Sequence, residues 1–212
     1  MTDWRSEIPA KIKKLPVNKD LYPVPWFVAW IDGVPDFRVI GPRKMQDAVQ
    51  MRLCWICGEP LGGWMAFVIG PMCAINRTSS EPPSHKDCAV FAAKACPFLA
   101  NPERPRRISN LPEGREDPAG IAIDRNPGVV LVWITRSYKI YPVDNGVLFE
   151  IGPMESVHWF ARGRMATRSE VMESITTGLP LLKKAAEEDK RPEEALQELD
   201  NRYQNAMKLL PV

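Results

Sequence analysis

Two short pairs of metal-binding side chains restrict this chain more than any other feature of its sequence. Cys54 and Cys57 form a Cys-x-x-Cys pair followed by Gly58, and His85 and Cys88 form a His-x-x-Cys pair. A tight turn lets the first two thiolates converge on one ion, and residues i and i+3 of a helix start share a face. The spacing therefore predicts one structural, tetrahedral zinc ion held by Cys54, Cys57, His85 and Cys88, with no open coordination position.

Two alternatives to this zinc site remain open from the sequence. The thiols could be buried near a core histidine without a metal, or Cys73 could replace His85 in an all-cysteine site. Otherwise Cys73, in a predicted strand, and Cys96, at a predicted helix end, are interpreted as small buried apolar residues. A catalytic Cys–His pair is not expected, because His158 is the only histidine besides His85.

The segment between the two pairs is predicted to hold two strands, 64–69 and 72–77. A helix that Ser84 caps is predicted to end near Cys96, before a proline. A knuckle, a hairpin and a ligand-bearing helix in this order resemble the treble-clef zinc fingers, over residues 54–96. The nucleases of that class need further histidines on the hairpin and helix, and here there are none, so the resemblance does not imply a nuclease.

The composition is typical of a globular protein. Of the 212 residues, 45% are apolar and 25% are charged, which excludes a wholly disordered, collagen-like or integral membrane chain. The net charge is only +2, so any affinity for nucleic acid must come from a local patch. The first residues show no secretory signal, and we expect a cytoplasmic location, where cysteines are metal ligands more often than disulfides.

The order of predicted elements indicates an α+β fold with two lobes. Residues 1–100 are predicted to form an N-terminal lobe with a β-hairpin that turns at Asp32-Gly33 and with the treble-clef zinc site. Its lysine-rich first residues are predicted to be a loosely packed arm. Residues 101–128, rich in Pro and Arg, are predicted to be a linker or long surface loop. Residues 129–212 are predicted to form a small antiparallel β-meander followed by C-terminal helices, with a hairpin turn at Asp144-Asn145-Gly146.

A candidate nucleic-acid site lies in the C-terminal part. The pattern predicts a short helix over 157–161, a turn at Gly163, and a second helix that Thr167 caps, with Glu170 three residues later, and that Gly178 ends. This order is compatible with a helix-turn-helix. In that motif the first residues of the second helix reach base edges. The predicted nucleic-acid or anion-binding residues are therefore Arg162, Arg164, Thr167 and Arg168. An ordinary helical hairpin with solvated arginines is the alternative.

Several stretches are also similar to zinc-binding proteins of phages and bacterial genomes. The shared stretches are CWICGEPLG, FVIGPMC, EPPSHKDCA, ACPF and GRMATRSEV, within roughly residues 24–182. No activity comes with this resemblance. A phage origin implies a host-directed inhibitor or regulator.

The leading functional hypothesis is a non-catalytic, zinc-stabilised protein that binds nucleic acid through local basic groups at 11–19, 104–107 and 162–168. The alternative is a protein-binding regulator or inhibitor of a host factor, with Trp55 in the knuckle as an exposed partner contact. An enzyme ranks third, because no nucleophile–base pair is present.

The C-terminal helix, predicted over 192–210, has one apolar stripe. Its members recur at spacings of three and four: Leu196, Leu199, Tyr203, Met207 and Leu210. Such a stripe needs a surface to cover it. It predicts docking on the body of the protein or on another subunit, and the oligomeric state stays open.

Overall fold

The structure is a computed structural model that describes residues 4–102, 111–112, 115, 118–120 and 125–212. The described chain begins with two 3-10 helices, Trp4–Glu7 and Ile12–Lys14. Its strands are β1 Val28–Ile31, β2 Val34–Ile40, β3 Met65–Ile69, β4 Thr78–Ser79, β5 Val130–Thr135, β6 Tyr138–Val143, β7 Gly146–Ile151, β8 Met154–Ala161 and β9 Arg164–Met165. Its α-helices are α1 Lys44–Gln50, α2 Pro71–Asn76, α3 Lys86–Ala95, α4 Arg168–Glu187 and α5 Pro192–Met207. The α+β prediction is therefore confirmed.

An antiparallel sheet with the strand order β3-β5-β8-β9 forms the centre of the molecule. Every residue of β5 is buried, because both faces of this strand are covered. Leu131 and Trp133 face the main core, whereas Val130 and Val132 face α3. The two-residue period of a strand thus divides one apolar run between two cores.

The predicted two-lobe division does not separate two cores. Strand β3 belongs to segment 1–100 and β5 to segment 129–212, yet they pair over five residues of one sheet, from Met65–Thr135 to Ile69–Leu131. Helix α3 also packs on β5 and β8. The predicted 101–128 linker falls mostly on residues outside the described part of the chain.

The predicted C-terminal meander divides between two sheets. Strand β5 pairs with β8 rather than with β6, while β6 and β7 form a hairpin whose other neighbour is β4. The Asp144-Asn145-Gly146 turn of that hairpin is present as predicted. At the end of β5, the Thr135 hydroxyl donates to the carbonyls of Ser137 and Pro153, which directs the chain out of the central sheet.

The predicted strand over 72–77 is wrong, because this segment is helix α2. Pro71 takes the first helical position, where it loses no hydrogen bond, and Met72 and Ile75 are buried on one helix face. The hairpin predicted between the ligand pairs is therefore not formed. Between the described ligand pairs, the isolated bridge Ala66–Ser84 pairs β3 with the residues before α3 in place of a hairpin. Ser84 uses its backbone in this bridge, and His85 is the N-cap residue instead.

The predicted helix-turn-helix is also wrong. Residues 157–161 belong to strand β8, and Arg162 and Gly163, both with positive φ, form the turn into β9. Helix α4 does begin with the predicted cap at Thr167, but it passes through Gly178. A Cβ atom at Gly178 would lie 2.9 Å from the Met72 side chain, so this glycine allows α2 to approach α4 rather than ending the helix.

Two further predictions are confirmed. Strands β1 and β2 form a hairpin around Asp32-Gly33. Helix α5 ends at Met207 rather than at the predicted 210, and it docks within the chain together with the residues that follow it. Leu199 and Leu210 are buried in the main core, and Tyr203 and Met207 pack against it.

Candidate metal centre

The two predicted ligand pairs meet at one point of the structure. One ligand atom from each of Cys54, Cys57, His85 and Cys88 lies within 4.8 Å of the other three. Cys57 Sγ is 3.4 Å from His85 Nδ1. Around a tetrahedral zinc with bonds of about 2.0–2.3 Å, ligand atoms are roughly 3.3–3.8 Å apart. The donor set and the 3.4 Å separation therefore fit a single zinc ion.

The knuckle turn aims the first two thiols at this point. Cys54 N–H donates to the Glu59 carbonyl and Gly58 N–H to the Cys54 carbonyl, each over 2.8 Å. Gly58 has a φ of +74°, and a Cβ atom there would lie 2.5 Å from the Trp26 ring. Only glycine satisfies both the left-handed backbone and this close packing.

The second pair is positioned by the first turn of α3. His85 is the N-cap residue, and Cys88 lies in the turn that follows it. The Ala66–Ser84 bridge holds this helix start against the central sheet, through two backbone hydrogen bonds of 2.8 Å. The positive end of the helix dipole favours a thiolate at Cys88.

Cys54 is the thiol of this group whose pKa is lowered, so it loses its proton most readily. Hydrogen bonds from the Cys57 and Cys88 thiols lower the pKa of Cys54, and the backbone N–H groups of Cys57 and His85 add to this effect, each 3.4 Å from Cys54 Sγ. The same thiol–thiol hydrogen bonds, followed by burial, raise the pKa of Cys88. Three thiolates in such proximity are compatible only with a bound cation, which is the condition that zinc supplies.

The position of the thiols identifies the ligand atom of His85. Nδ1 is 3.4 Å from Cys57 Sγ, whereas Nε2 is 3.0 Å from the Pro60 carbonyl oxygen and 3.2 Å from the Lys11 ammonium. With Nδ1 bound to a metal, the ring proton would be on Nε2, where the Pro60 carbonyl can accept it. A carbonyl that receives the second ring N–H is a common support for a metal-bound histidine.

Lys11 supplies a positive charge next to the cluster. Its ammonium is 3.2 Å from His85 Nε2 and 3.0 Å from a Glu59 carboxylate oxygen. The hydrogen bond with Glu59 raises the pKa of Lys11, and the charges of Cys57 and Cys88 contribute. Zinc with three thiolates and one neutral histidine carries a net charge of −1, which Lys11 offsets.

The N-terminal lead-in covers the metal cluster, although its lysines predict a loosely packed arm. Ile12 is buried in a cluster with Cys54, Cys57 and Cys88, and Ile8 packs against the same cluster. The spacing of four between Ile8 and Ile12, continued three residues later by an apolar leucine, is the sequence signal that identifies this cover.

Cys73 does not replace His85. It lies in α2, is exposed, and is not a member of the metal-binding group. The interpretation of Cys73 as a buried apolar residue is also wrong, because the helix turns it away from the core that holds Met72 and Ile75.

The prediction of Trp55 as an exposed partner contact is wrong. Trp55 is only 2% exposed. Its ring stacks on Phe27 with 4.7 Å between centroids and 2° between planes. The segment that precedes β1 covers the knuckle and removes this indole from any partner.

The predicted nucleic-acid residues lie together at the β8–β9 turn and the start of α4, but most of their polar groups have partners. Arg164 makes two hydrogen bonds to the Glu170 carboxylate, of 3.0 and 2.8 Å. The Thr167 side chain caps α4 by accepting from Glu170 N–H, and Arg168 donates to the Pro211 carbonyl. Arg162 is exposed in the turn.

No protein-family model, curated protein or solved structure matches this chain. The fold and the metal cluster therefore define its class: a mixed α+β protein with a Cys3His group suited to one metal ion. Among the described helices, none combines the length and the apolar character needed to cross a membrane.

Proposed function

We propose that this chain is a non-catalytic binding protein stabilised by one structural zinc ion, and that it binds an extended apolar segment of another protein. The carrying observation is the surface of the β1–β2 hairpin. Trp30 is 48% exposed and Phe37 41%, and the paired residues Ile31 and Val34 are exposed on the hairpin face opposite to Trp30, Val34 by 65%. Exposed apolar side chains concentrated on one short hairpin are typical of a protein-interaction surface.

The edge of this hairpin supports an extended partner. Strands β1 and β2 pair only with each other within the described chain, so β1 has an open outer edge. Trp30 is paired with Pro35 of β2. Because Pro35 has no N–H, the two residues form a non-hydrogen-bonded pair. The N–H and C=O groups of Trp30 therefore point away from β2, toward the open edge. Strand β1 contains no charged residue that would block pairing with a further strand. A partner segment can therefore add as a third strand.

The zinc site holds the base of this hairpin. Trp26 N–H donates to the Ile56 carbonyl over 2.7 Å, and Phe27 stacks on Trp55. Both contacts connect the entry of β1 to the knuckle between the two zinc-binding cysteines. In this proposal zinc performs no chemistry, and it fixes the surface that binds.

The arrangement also supports a treble-clef assignment. A knuckle, a strand bridged to the segment before α3, and a helix bearing the second ligand pair follow one another as in that class. The difference is the insertion of α2 and β4 between strand and helix, so that one bridge, Ala66–Ser84, takes the place of a hairpin. The resemblance to phage proteins makes a host factor the proposed partner.

A displayed library of random linear peptides tests the protein-binding proposal, with the zinc-loaded chain as bait. We expect enrichment of short apolar, β-branched sequences. Synthetic peptides from this selection should bind Trp30→Ala/Ile31→Ala at least tenfold more weakly, because both side chains belong to β1, the strand beside which the partner would add. Trp64→Ala/Leu181→Ala is the matched control, since these apolar residues are exposed elsewhere. The proposal is contradicted if no peptide is enriched, or if both double variants lose the same amount of peptide affinity.

One observation favours nucleic acid as a second candidate target. Trp64 is 52% exposed, and the Arg136 guanidinium lies 5.0 Å from its ring centroid. An exposed aromatic ring beside an arginine can stack a base and contact its phosphate. Arg162 and Arg168 remain the other proposed contacts, and the basic segment 104–107 lies outside the described residues.

The salt dependence of binding to a fluorescent single-stranded oligonucleotide tests this candidate. Binding should weaken steeply with salt, and Trp64→Ala should reduce affinity while leaving the slope unchanged. Arg162→Ala/Arg168→Ala should reduce both affinity and slope. Absence of binding at low salt would leave only the protein target.

A further inference from the structure

We propose that the cleft between α2, β4 and α5 binds a small organic anion with an apolar body, bearing a carboxylate or a phosphate. The cleft has a volume of about 670 Å³. That volume lies within the range of about 300–1,000 Å³ common for small-molecule sites. It is remote in sequence from the hairpin surface, and this inference does not depend on the protein-binding proposal.

The inner wall of the cleft is apolar. Ile75 from α2, Trp133 from β5, and Ala206 and Leu209 from the C-terminal segment all line it. Ile75, Trp133 and Ala206 also belong to the main core, so this wall is held by packing on its other side. A rigid apolar wall favours a ligand that has a hydrocarbon or ring body.

Arg77 provides the anion-binding group. Three charged residues line the cleft: Arg77, Glu150 and Arg202. Arg202 is paired with Glu198, and Glu150 lies 3.8 Å from the Lys139 ammonium. No described carboxylate pairs with Arg77 in this way. Arg77 is therefore the lining charge that lacks a counter-ion.

The contacts of Arg77 hold its guanidinium in place without neutralising it. One nitrogen, Nη2, donates to the Ile151 carbonyl over 2.8 Å, and the group lies 5.8 Å from the centre of the Trp133 ring. A guanidinium has five N–H donors, so several remain for a carboxylate or phosphate. The positive charge and the apolar wall thus lie side by side.

Two hydroxyls extend the polar side of the cleft. Thr78 Oγ1 and Tyr141 Oη lie 3.4 Å apart and both residues line the cleft. Thr78 Oγ1 already donates to the Asn76 carbonyl over 3.2 Å, so Tyr141 is the hydroxyl that can donate to an oxygen of the anion. The expected ligand therefore places its acidic group near Arg77, Thr78 and Tyr141, and its body against Trp133 and Leu209.

Isothermal titration with four probes tests this inference on the zinc-loaded chain. The probes are phenyl phosphate, benzoate, inorganic phosphate and benzyl alcohol. We expect phenyl phosphate or benzoate to bind, and the tighter of the two identifies the acidic group. Inorganic phosphate lacks the apolar body and benzyl alcohol lacks the charge, so each should bind at least tenfold more weakly.

Variants connect the binding to the cleft. Arg77→Gln should weaken the preferred probe at least tenfold, and Arg77→Lys should weaken it less, because the charge remains. The matched control is Arg43→Gln, since Arg43 is also an exposed arginine with positive φ, 61° against 53° for Arg77. It should bind like the unaltered chain.

Because Arg77 also bonds to Ile151, Asn205→Trp provides a second variant that leaves Arg77 intact. Asn205 lines the cleft from an exposed position of α5, so a bulky ring there should block the ligand without disturbing the core. No binding of either anionic probe in the millimolar range would overturn the inference. Equal affinity for benzyl alcohol, or affinity unchanged in both Arg77→Gln and Asn205→Trp, would also overturn it.

Discussion

At the scale of single residues, Cys57 shows how closely the zinc ligands are coupled to the fold. Its thiol is 3.4 Å from His85 Nδ1 and its backbone N–H donates to Cys54 Sγ. Ligands of a structural zinc are not held together in the unfolded chain, so the free energy of metal binding becomes free energy of folding. Replacing one ligand removes this contribution and leaves buried thiols without their cation.

We therefore expect Cys57→Ser to lose stoichiometric zinc and to melt at a sharply lower temperature. Elemental analysis and thermal unfolding followed by circular dichroism measure the two effects. Cys73→Ser is the matched control, because Cys73 is exposed in α2 and is not in the metal-binding group. Protein purified without chelators that contains no zinc would contradict the metal assignment.

The stability of the fold is expected to depend on pH through the carboxyl group of Glu170. Hydrogen bonds from Arg164 lower the pKa of Glu170 to about 2, from an ordinary value of 4.5. A carboxyl group whose pKa is lower in the folded state stabilises the fold above the unfolded-state pKa. This contribution is present above a pH of about 4.5 and is lost as the pH falls toward about 2.

Urea unfolding between pH 7 and pH 3 should show this loss. The difference in unfolding free energy between the unaltered chain and Glu170→Gln should shrink as the pH falls. Glu173→Gln, an exposed change in the same helix, is the matched control and should give only a small difference. Release of zinc in acid is common to all three proteins and cancels in the comparison. A difference for Glu170→Gln that is constant with pH would contradict the assigned pKa.

At the scale of elements, the docking of α5 extends the main core. Leu199 and Leu210 are buried there. Trp159 Nε1 also donates to the Leu209 carbonyl over 2.8 Å, which ties strand β8 to the end of the C-terminal segment. An isolated helix of this length is marginal in water, so these contacts stabilise it.

Leu199→Ala should therefore reduce the free energy of unfolding by about 2–4 kcal/mol, because it removes buried methyl groups and leaves a cavity. Leu181→Ala makes the same chemical change at a position of α4 that is 44% exposed, and should cost well under half as much. Urea unfolding measures both. Similar losses for the two variants would mean that α5 does not pack as described.

At the scale of the whole molecule, the zinc cluster and the central sheet are parts of one structure. Helix α3 carries two ligands and packs on β3, β5 and β8. The Ala66–Ser84 bridge joins the same region to the sheet. Loss of the metal should therefore affect the sheet as well as the knuckle.

We expect chelation of zinc to lower the melting temperature of the entire chain in a single transition. Far-ultraviolet circular dichroism and tryptophan fluorescence should give coincident curves with and without chelator, since coincidence is the mark of one cooperative unit. Two separate transitions after chelation would instead indicate a metal lobe that unfolds independently of the C-terminal strands.

Some features of this protein follow from residues close together in the sequence. The ligand pairs, the hairpin turns at Asp32-Gly33 and Asp144-Asn145-Gly146, and the Thr167–Glu170 capping box are correct because each depends on local backbone geometry. The amphipathic stripe of α5 is equally local, since its period alone specifies a helix with one apolar face.

Other features were decided by tertiary contacts that no local pattern contains. Short apolar runs fit both helix and strand, so residues 72–77 and 157–161 take the form that the neighbouring chain allows. The second run is a strand because β5 offers an edge for pairing. Gly178 lies within α4, where the close approach of Met72 from α2 leaves no room for a side chain. Trp55 is buried because Phe27 covers its ring. In each case the deciding atoms lie far away in sequence, and only the folded chain brings them into contact.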